Sequence, residues 1–209
     1  MEKINYQKIL DKTLSTLTER KKLLLHACCA PCSSYVIEYL SNYFDITIYY
    51  YNPNIHPQSE YERRLQELKA FLTRFPKAIE TNIKLIVDSY DTEDYFNATN
   101  IRNEVELQTE REMGERCRRC YEFRMKRAWD YAEKNSYDYF TTTLSISPHK
   151  DSTKINKIGE NLQAKATSAL HYLYSDFKKK GGFLRSLQIS EDFGLYRQDY
   201  CGCVYSMRK

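Results

Sequence analysis

The feature that most limits the fold of this chain is a regular alternation of short apolar segments with amphipathic ones. Buried β-strands are predicted for the apolar segments 22–27, 45–51, 83–88 and 137–145. Helices are predicted for the amphipathic segments 60–75, 95–113, 120–135 and 152–166, and for a segment after the first strand that Ser33 or Ser34 would cap. Strands that alternate with helices are typical of βαβ units, so the sequence predicts an α/β fold with a parallel sheet and helices on both faces.

The 209 residues suit one domain. An amphipathic N-terminal helix is predicted over residues 1–21, and a single α/β domain over 22–209. Within that domain, residues 172–209 interrupt the alternation with Gly181-Gly182 and an end rich in Arg, Asp and Tyr. This segment is predicted to be an ordered tail over the sheet edge rather than another βα unit.

Composition and charge narrow the class of protein. No apolar stretch is long enough for a membrane span and no secretory signal is predicted, so the expected location is the cytoplasm, where disulfides are mostly transient or catalytic. The net charge is only +4, but residues 116–127 carry six basic residues against one acid, and 178–209 carry seven against three. Together with 19 tyrosines, these segments suit a nucleic-acid partner, but by themselves they do not favour one over a solvated helix face and packed tyrosines.

Seven cysteines occur in three groups, and an odd number in a cytoplasmic chain favours metal or redox chemistry over a disulfide framework. The groups are Cys28-Cys29-x-x-Cys32, Cys117-x-x-Cys120 and Cys201-Gly-Cys203. Adjacent cysteines are unusual in closed zinc sites, and the first two groups offer one thiolate more than four ligands require. This pattern favours an iron–sulfur cluster over zinc. Cys32, ahead of a helix, is expected to have a lowered pKa.

The third group suits a different role. A disulfide between Cys201 and Cys203 would close a very small ring that is easily reduced, which fits a pair that cycles between dithiol and disulfide. The alternative is that both residues ligate the same metal. His149, Lys150 and Asp151 follow the fourth predicted strand and are candidates for orienting a substrate or moving a proton, although Asp151 could simply cap a helix. No glycine-rich phosphate loop occurs, so no nucleotide cofactor is expected.

Four motifs carry a resemblance to a known family. They are HACCAPC (26–32), ERCRRC (115–120), TTLSISPHKD (142–151) and LYRQDYCGC (195–203). In this combination the chain closely resembles the epoxyqueuosine reductase QueH family, over nearly all of its length beyond the N-terminal helix. The resemblance implies a Rossmann-like fold similar to the adenine nucleotide alpha-hydrolase (HUP) group. It also implies a cobalamin-independent iron–sulfur enzyme that removes the epoxide oxygen of epoxyqueuosine at the wobble position of tRNA, the last step to queuosine.

The resemblance also implies a role for each group of residues. Cys28, Cys29, Cys117 and Cys120 would hold a [4Fe–4S] cluster, Cys32 would help to bind an additional iron, and Cys201 and Cys203 would be the redox-active pair. As a hypothesis, the additional iron acts as a Lewis acid on the epoxide oxygen. An external electron donor restores the dithiol, and His149, Lys150 or Asp151 donates a proton. Phosphates of the anticodon loop would be bound by Arg116, Arg118, Arg119, Arg185 and Arg197.

Two other functions remain open from the sequence. A zinc-stabilised RNA-binding protein without a reaction would contain zinc rather than iron and sulfide. A metal-free thiol–disulfide oxidoreductase would use Cys117-x-x-Cys120 alone, which leaves the Cys28-Cys29 pair without a purpose. A tRNA thiolase-type nucleotide hydrolase is disfavoured because the glycine loop is missing.

Overall fold

A computed structural model of the chain describes residues 4–207. The strands are β1 (Lys21–Ala27), β2 (Phe44–Tyr50), β3 (Lys84–Val87), β4 (Tyr139–Thr142) and β5 (His171–Tyr172). The helices are α1 (Tyr6–Ser15), α2 (Ala30–Leu40), α3 (Gln58–Leu72), α4 (Pro76–Glu80), α5 (Thr92–Thr99), α6 (Val105–Thr109), α7 (Glu115–Lys134), α8 (Ser152–Ala164) and α9 (Gly182–Asp192). Short 3₁₀ turns lie at Ile101–Asn103, Thr143–Ile146 and Val204–Ser206.

The five strands form one parallel sheet in the order β3-β2-β1-β4-β5. In the centre, Leu25 of β1 lies opposite Ile48 of β2 and Thr141 of β4. The chain runs outward in one direction from β1 to β3 and in the other from β4 to β5, so the strand order reverses between β1 and β4. This is the Rossmann-like arrangement, and the predicted α/β fold with a parallel sheet is confirmed.

Each face of the sheet carries its own hydrophobic core because side chains alternate along a strand. Leu23 and Leu25 point into a core shared with α1, α2, α3 and α9, whereas Leu24 points into a core shared with α7 and α8. Met125 and Trp129 of α7 are buried in this second core. Because apolar side chains of β1 point to both sides of the sheet, helices cover both of its faces, as predicted.

The helix after β1 begins earlier than predicted. Cys29 is its N-cap and Pro31 lies in its first turn, where the preset φ of proline suits a helix start. Ser33 and Ser34 lie within the helix, and their hydroxyls donate to the carbonyls of Cys29 and Pro31. The prediction that Ser33 or Ser34 caps this helix is therefore wrong. As a consequence, all three cysteines of the first group lie at the strand end and the first helical turn.

The predicted helix over 95–113 is broken into shorter pieces. Helix α5 ends because Asn100 takes a left-handed conformation (φ 56°), which an Asn tolerates at a helix C-terminus. By contrast, α7 begins at Glu115, earlier than the predicted 120. The carboxylate of Glu110 accepts from the backbone N–H groups of Glu115 and Arg116, and so satisfies two open donors of that helix start. Cys117 therefore lies on α7 together with Cys120.

The prediction that residues 172–209 contain no βα unit is wrong. β5 pairs with β4 in parallel, and α9 follows it. Helix α9 packs on α2: Ile189 is buried in the first core, and Arg185 forms an ion pair with Glu38 at 2.7 Å. Two strand residues and one buried helix face are too weak a local pattern to be recognised in a sequence. The irregular tail is confined to the segment after α9.

The N-terminal helix covers Tyr6–Ser15, a shorter range than the predicted 1–21, of which residues 1–3 lie outside the described part of the chain. Its Leu10 and Leu14 are buried in the first core. Within residues 4–207, no helix combines the length and the apolar character that a membrane crossing requires.

Replacing Gly159 with alanine is expected to destabilise the fold by about 1–2 kcal/mol, because a Cβ there would lie 2.3 Å from the ring of buried Tyr172. Overpacking of this kind outweighs the gain of about 1 kcal/mol in helix propensity from Gly to Ala. Urea unfolding would measure the loss. Glu160→Ala, at the next and exposed position of α8, is the control and should change stability by less than about 0.5 kcal/mol. Equal stability of the two variants would contradict the close packing of α8 on β5.

Candidate functional site

The candidate site lies at the carboxyl ends of β1 and β4, where the strand order reverses. Cys28 and Cys29 follow β1 directly, and the segment 143–151 follows β4. Parallel sheets of this kind bind their ligands in the crevice at such a reversal, because the loops from the two strands diverge there. Both segments thus lie at the carboxyl edge of the sheet, as the sequence predicts.

Three sulfur atoms meet at this point and form what we call the thiol triad: Cys28, Cys29 and Cys32. Their Sγ atoms all lie within 4.8 Å of one another, and Cys28 Sγ is 3.7 Å from Cys29 Sγ. Cys28 and Cys29 are buried, and Cys32 is half-buried. Within residues 4–207, this is the one group of three or more His, Cys, Asp or Glu side chains whose potential ligand atoms lie so close together.

The triad favours one thiolate. Hydrogen bonds from Cys29 and Cys32 hold the pKa of Cys28 well below its usual value, aided by the positive charges of Lys150 and Arg124. The hydrogen bond to Cys28 raises the pKa of Cys29 to about 11, and hydrogen bonds to Cys28 and Cys29 raise that of Cys32 well above its usual value. The expectation that Cys32 has the lowered pKa is therefore wrong, because its hydrogen bonds and its burial both raise that pKa.

The second cysteine group borders a small inner cavity beside the triad. Cys117 and Cys120 of α7 line this inner cavity together with Cys201 and Cys203 of the tail. All four are free thiols, and burial raises the pKa of Cys117, Cys201 and Cys203. Cys117 and Cys120 thus lie outside the triad, whereas Cys32 lies inside it. The four-ligand set of Cys28, Cys29, Cys117 and Cys120 stays a prediction.

Arg124 connects the two groups of cysteines. Its side chain is buried; Nη1 lies 3.9 Å from Cys120 Sγ, and Nη2 donates to Asn52 Oδ1 at 2.5 Å. Asn52 in turn donates to the carbonyl of Ala27, the last residue of β1 before the triad, at 2.9 Å. Burial opposes the charge of Arg124, but the charges of Cys120 and Cys28 raise its pKa. A buried cation beside thiols, with no carboxylate partner among the described residues, favours anionic sulfur at this site.

The donor set fits an iron–sulfur cluster. Thiolates are its usual ligands, and the buried positive charge of Arg124 offsets the negative charge that a cluster with thiolate ligands carries. Among the described residues, six buried polar side-chain atoms have no hydrogen-bond partner. Three of these atoms belong to Asn54, Tyr95 and Arg124, which line the inner cavity, and a fourth is Gln198 Oε1 beside the triad. Unsatisfied groups concentrated at one place are typical of a functional site.

A larger cavity of about 500 Å³ opens from this region to solvent. We call it the open cavity; Cys32, the loop 146–150 and the tail residues 197–201 line it. His149, Lys150 and Cys201 border both cavities. Burial opposes the charge of Lys150, but the negative charge of the nearby Cys28 thiolate raises its pKa, so the lysine is an ammonium at neutral pH. Asp151 is not among the residues that line either cavity: its carboxylate caps α8 through the N–H groups of Thr153 and Lys154.

The five arginines predicted to bind phosphate differ in their surroundings. Arg116 and Arg197 line the open cavity, although Arg116 is buried and donates to the carbonyls of Leu107 and Gln108. The other three form ion pairs within the protein. Arg118 binds Glu115 and Glu122, Arg119 binds Glu104 and Glu115, and Arg185 binds Glu38. The sequence alone shows a run of basic residues; only the structure shows that acidic residues elsewhere in the fold already neutralise three of these charges.

Several residues at the site were not predicted. Gln198 donates to Cys29 Sγ at 3.3 Å, and Arg124 and Asn52 link Cys120 to the end of β1. Gln198 lies within the LYRQDYCGC motif, three residues before Cys201, and this position in the sequence could have marked it as a site residue. Nothing in the local sequence distinguishes Arg124 from the other basic residues of α7.

Comparison with known proteins identifies the family of this chain. The family model described as epoxyqueuosine reductase QueH matches residues 23–209. The chain is 39% identical over 210 residues to the epoxyqueuosine reductase QueH of Streptococcus pyogenes serotype M1, covering 99% of this chain and 80% of the relative. It is 40% identical to that of Staphylococcus epidermidis, covering 100% of this chain and 87% of the relative. It is 32% identical to that of Thermotoga maritima, covering 88% and 90%. With its cysteine groups gathered at the strand reversal and a family match from β1 to the end of the chain, this protein belongs to the epoxyqueuosine reductase QueH family.

Proposed function

We propose that this chain reduces epoxyqueuosine at the wobble position of tRNA to queuosine. The reaction removes the epoxide oxygen: two electrons and two protons enter, the two carbons form an alkene, and the oxygen leaves as water. The observation that carries the proposal is the full-length similarity to relatives of that name, at 39–40% identity, in a chain whose Cys32 and Cys201 line a cavity open to solvent.

We further propose that Cys28, Cys29, Cys117 and Cys120 hold a [4Fe–4S] cluster, with Cys32 directed to an additional iron. When bound, these groups would supply electrons one at a time and a Lewis acid for the epoxide oxygen. Support comes from the soft donor set, from the buried charge of Arg124 and from the unpaired polar atoms around the inner cavity.

The protein's own side chains would manage the proton and the substrate. Lys150 borders both cavities as an ammonium group, so it can give a proton to the leaving oxygen, and exposed His149 can return that proton from solvent. Asp151 is not a candidate for this step, because its carboxylate caps α8. Phe183, Tyr200 and Tyr205 at the open cavity offer rings on which an extruded base could stack.

The tail would supply reducing equivalents. Cys201 and Cys203 are free thiols, and Cys201 borders both cavities, so the pair can lie between the reaction site and an external electron donor. Each cycle would oxidise the two thiols to a disulfide and release two electrons and two protons; the donor would then restore the dithiol. Arg197 and Arg116 are the predicted phosphate-binding arginines that border the open cavity. The reduction of epoxyqueuosine in tRNA would take place in the cytoplasm.

The deciding experiment is nucleoside mass spectrometry of tRNA from a strain that lacks this protein and has no other epoxyqueuosine reductase. We expect epoxyqueuosine to accumulate in place of queuosine, and the wild-type gene to reverse this. Anaerobically purified protein should contain iron and sulfide and should convert epoxyqueuosine in tRNA when a reductant is supplied. Unchanged queuosine in the deletion strain would refute the proposed function.

A metal-free thiol–disulfide exchange is less well supported. Such an oxidoreductase needs a low-pKa thiolate in a Cys-x-x-Cys motif at a helix start, whereas burial raises the pKa of Cys117. The pair also faces an inner cavity rather than open solvent.

Replacing Arg124 with methionine is expected to lower iron retention at least about tenfold, because it removes the positive charge beside Cys120 and the link to the end of β1. Iron per protein after anaerobic gel filtration would measure the loss. Arg127→Met is the control: Arg127 lies on the same helix, but it is exposed and pairs with Asp88 away from the thiols. Equal iron content in the two variants would contradict the role given to the buried charge.

A further inference from the structure

We propose that Arg64 is a positioning residue that holds the Cys201-Gly202-Cys203 turn and thereby sets the equilibrium between its dithiol and disulfide forms. Arg64 lies in α3, far from every cysteine in sequence, and it forms no part of the motifs that carry the family resemblance. The link to catalysis rests on the proposed redox role of Cys201 and Cys203. The positioning itself does not depend on that role.

The guanidinium of Arg64 joins the helix to the tail. Its Nη1 donates to the carbonyl of Cys201 at 3.2 Å, and its Nη2 donates to the carbonyl of Tyr200 at 3.3 Å. Its Nε donates to Glu60 Oε1 at 2.7 Å, one turn earlier in α3. All three nitrogens are therefore used, and each points in a direction that the flat guanidinium dictates.

Burial indicates that this arrangement does more than stabilise a helix surface. The side chain of Arg64 is 1% exposed and that of Glu60 is 10% exposed. A buried ion pair contributes little net stability, because removing both charges from water offsets their attraction. The ion pair with Glu60 instead holds the guanidinium of Arg64 in place, so that its two Nη groups can donate to the backbone of the turn.

The turn itself is built against this fork. Gly202 has φ +106°, and its carbonyl accepts from the N–H of His56 at 2.8 Å. A Cβ at Gly202 would lie 3.1 Å from Arg64 Nη1, so the backbone of the turn passes directly over the guanidinium. On the other side, Cys201 Sγ lies 3.0 Å from Ser206 Oγ and 3.4 Å from the N–H of Cys203. The hydrogen bonds of Arg64 to the turn thus go to its backbone carbonyls.

Oxidation of the pair depends on how well the turn is held. In a glutathione buffer, Cys201–SH and Cys203–SH with one oxidised glutathione give the disulfide and two reduced glutathione molecules. A turn that is already in place loses less conformational freedom when this small ring closes. Without Arg64, we expect the equilibrium constant for disulfide formation to fall about fivefold to tenfold, which is the effect of about one hydrogen bond.

The test uses the full chain in three variants. Arg64→Met removes the donors and the charge but keeps a long side chain. Arg64→Lys keeps the charge without the fork and should recover only part of the constant. Arg63→Met is the matched control: Arg63 is the preceding residue of α3, is exposed, and stacks on Tyr196 of the same tail with its guanidinium carbon 3.4 Å from the ring centroid.

Two measurements decide the proposal. Differential alkylation with peptide mass spectrometry gives the oxidised fraction of Cys201 and Cys203 across a glutathione series, and amide hydrogen exchange reports on residues 198–206. We expect Arg64→Met to lower the constant and to speed exchange in that segment, with Arg63→Met close to wild type. Wild-type values for Arg64→Met, or equal changes in both variants, would overturn the proposal. If exchange speeds up only in Arg64→Met but the wild-type pair never oxidises, the positioning of the turn stands while the redox role in the proposed function fails.

Discussion

With Cys117 as one of the four proposed cluster ligands, Cys117→Ser is expected to remove the iron–sulfur absorbance and the turnover together. Serine is a poor ligand for iron in such a cluster, so the variant would lose iron. Removing a group that only hydrogen-bonds to a metal ligand already lowers metal affinity or activity by about 10- to 100-fold. Loss of a ligand itself should therefore lower turnover by more than about 100-fold. Absorbance, iron content and tRNA turnover of the anaerobic protein would be measured side by side.

The matched comparison is Cys32→Ser. Cys32 lies in the thiol triad, so its sulfur is as close to Cys28 and Cys29 as a ligand would be. With the proposed ligand set, Cys32→Ser keeps the cluster absorbance but loses turnover because the additional iron is gone. If the absorbance is instead kept in Cys117→Ser and lost in Cys32→Ser, the cluster lies at the thiol triad and the assignment of Cys117 as a ligand is refuted.

Gly202→Ala is expected to lower turnover by more than tenfold while costing only about 1–3 kcal/mol of stability. Alanine rarely adopts a φ of +106°, and its Cβ would lie 2.8 Å from Ile55 Cγ1 and 3.1 Å from Arg64 Nη1. The turn that carries Cys201 and Cys203 would have to move away from α3. Steady-state kinetics and urea unfolding would measure the two effects separately.

Gly194→Ala is the control for backbone strain. Gly194 lies in the same C-terminal region with φ +60°, but a Cβ there would meet no atom within 4 Å. We expect a similar or smaller loss of stability and nearly normal turnover. An equal loss of turnover in both variants would show that strain in the tail, and not the placement of the cysteine turn, causes the effect.

Prediction from the sequence succeeded where the signal is local. The three consecutive leucines at residues 23–25 of β1 are apolar on both sides of the strand, so both its secondary structure and its burial between two layers follow from the local sequence. Prediction failed where a partner distant in sequence decides. Glu110 starts α7 earlier than its periodicity implies, and Glu38 neutralises an arginine that had been expected to bind phosphate.

By itself, then, the sequence determined the parallel α/β fold, the family and the identity of the cysteine groups, because apolar periodicity and short motifs are local properties of the chain. The tertiary structure alone decided that Cys117 and Cys120 meet Cys201 and Cys203 at the inner cavity, that Arg124 lies between the two thiol groups, and that Arg64 holds the tail turn. These contacts join residues from separate elements. They arise only when the sheet orders its strands and brings those elements to one edge, which no local pattern encodes.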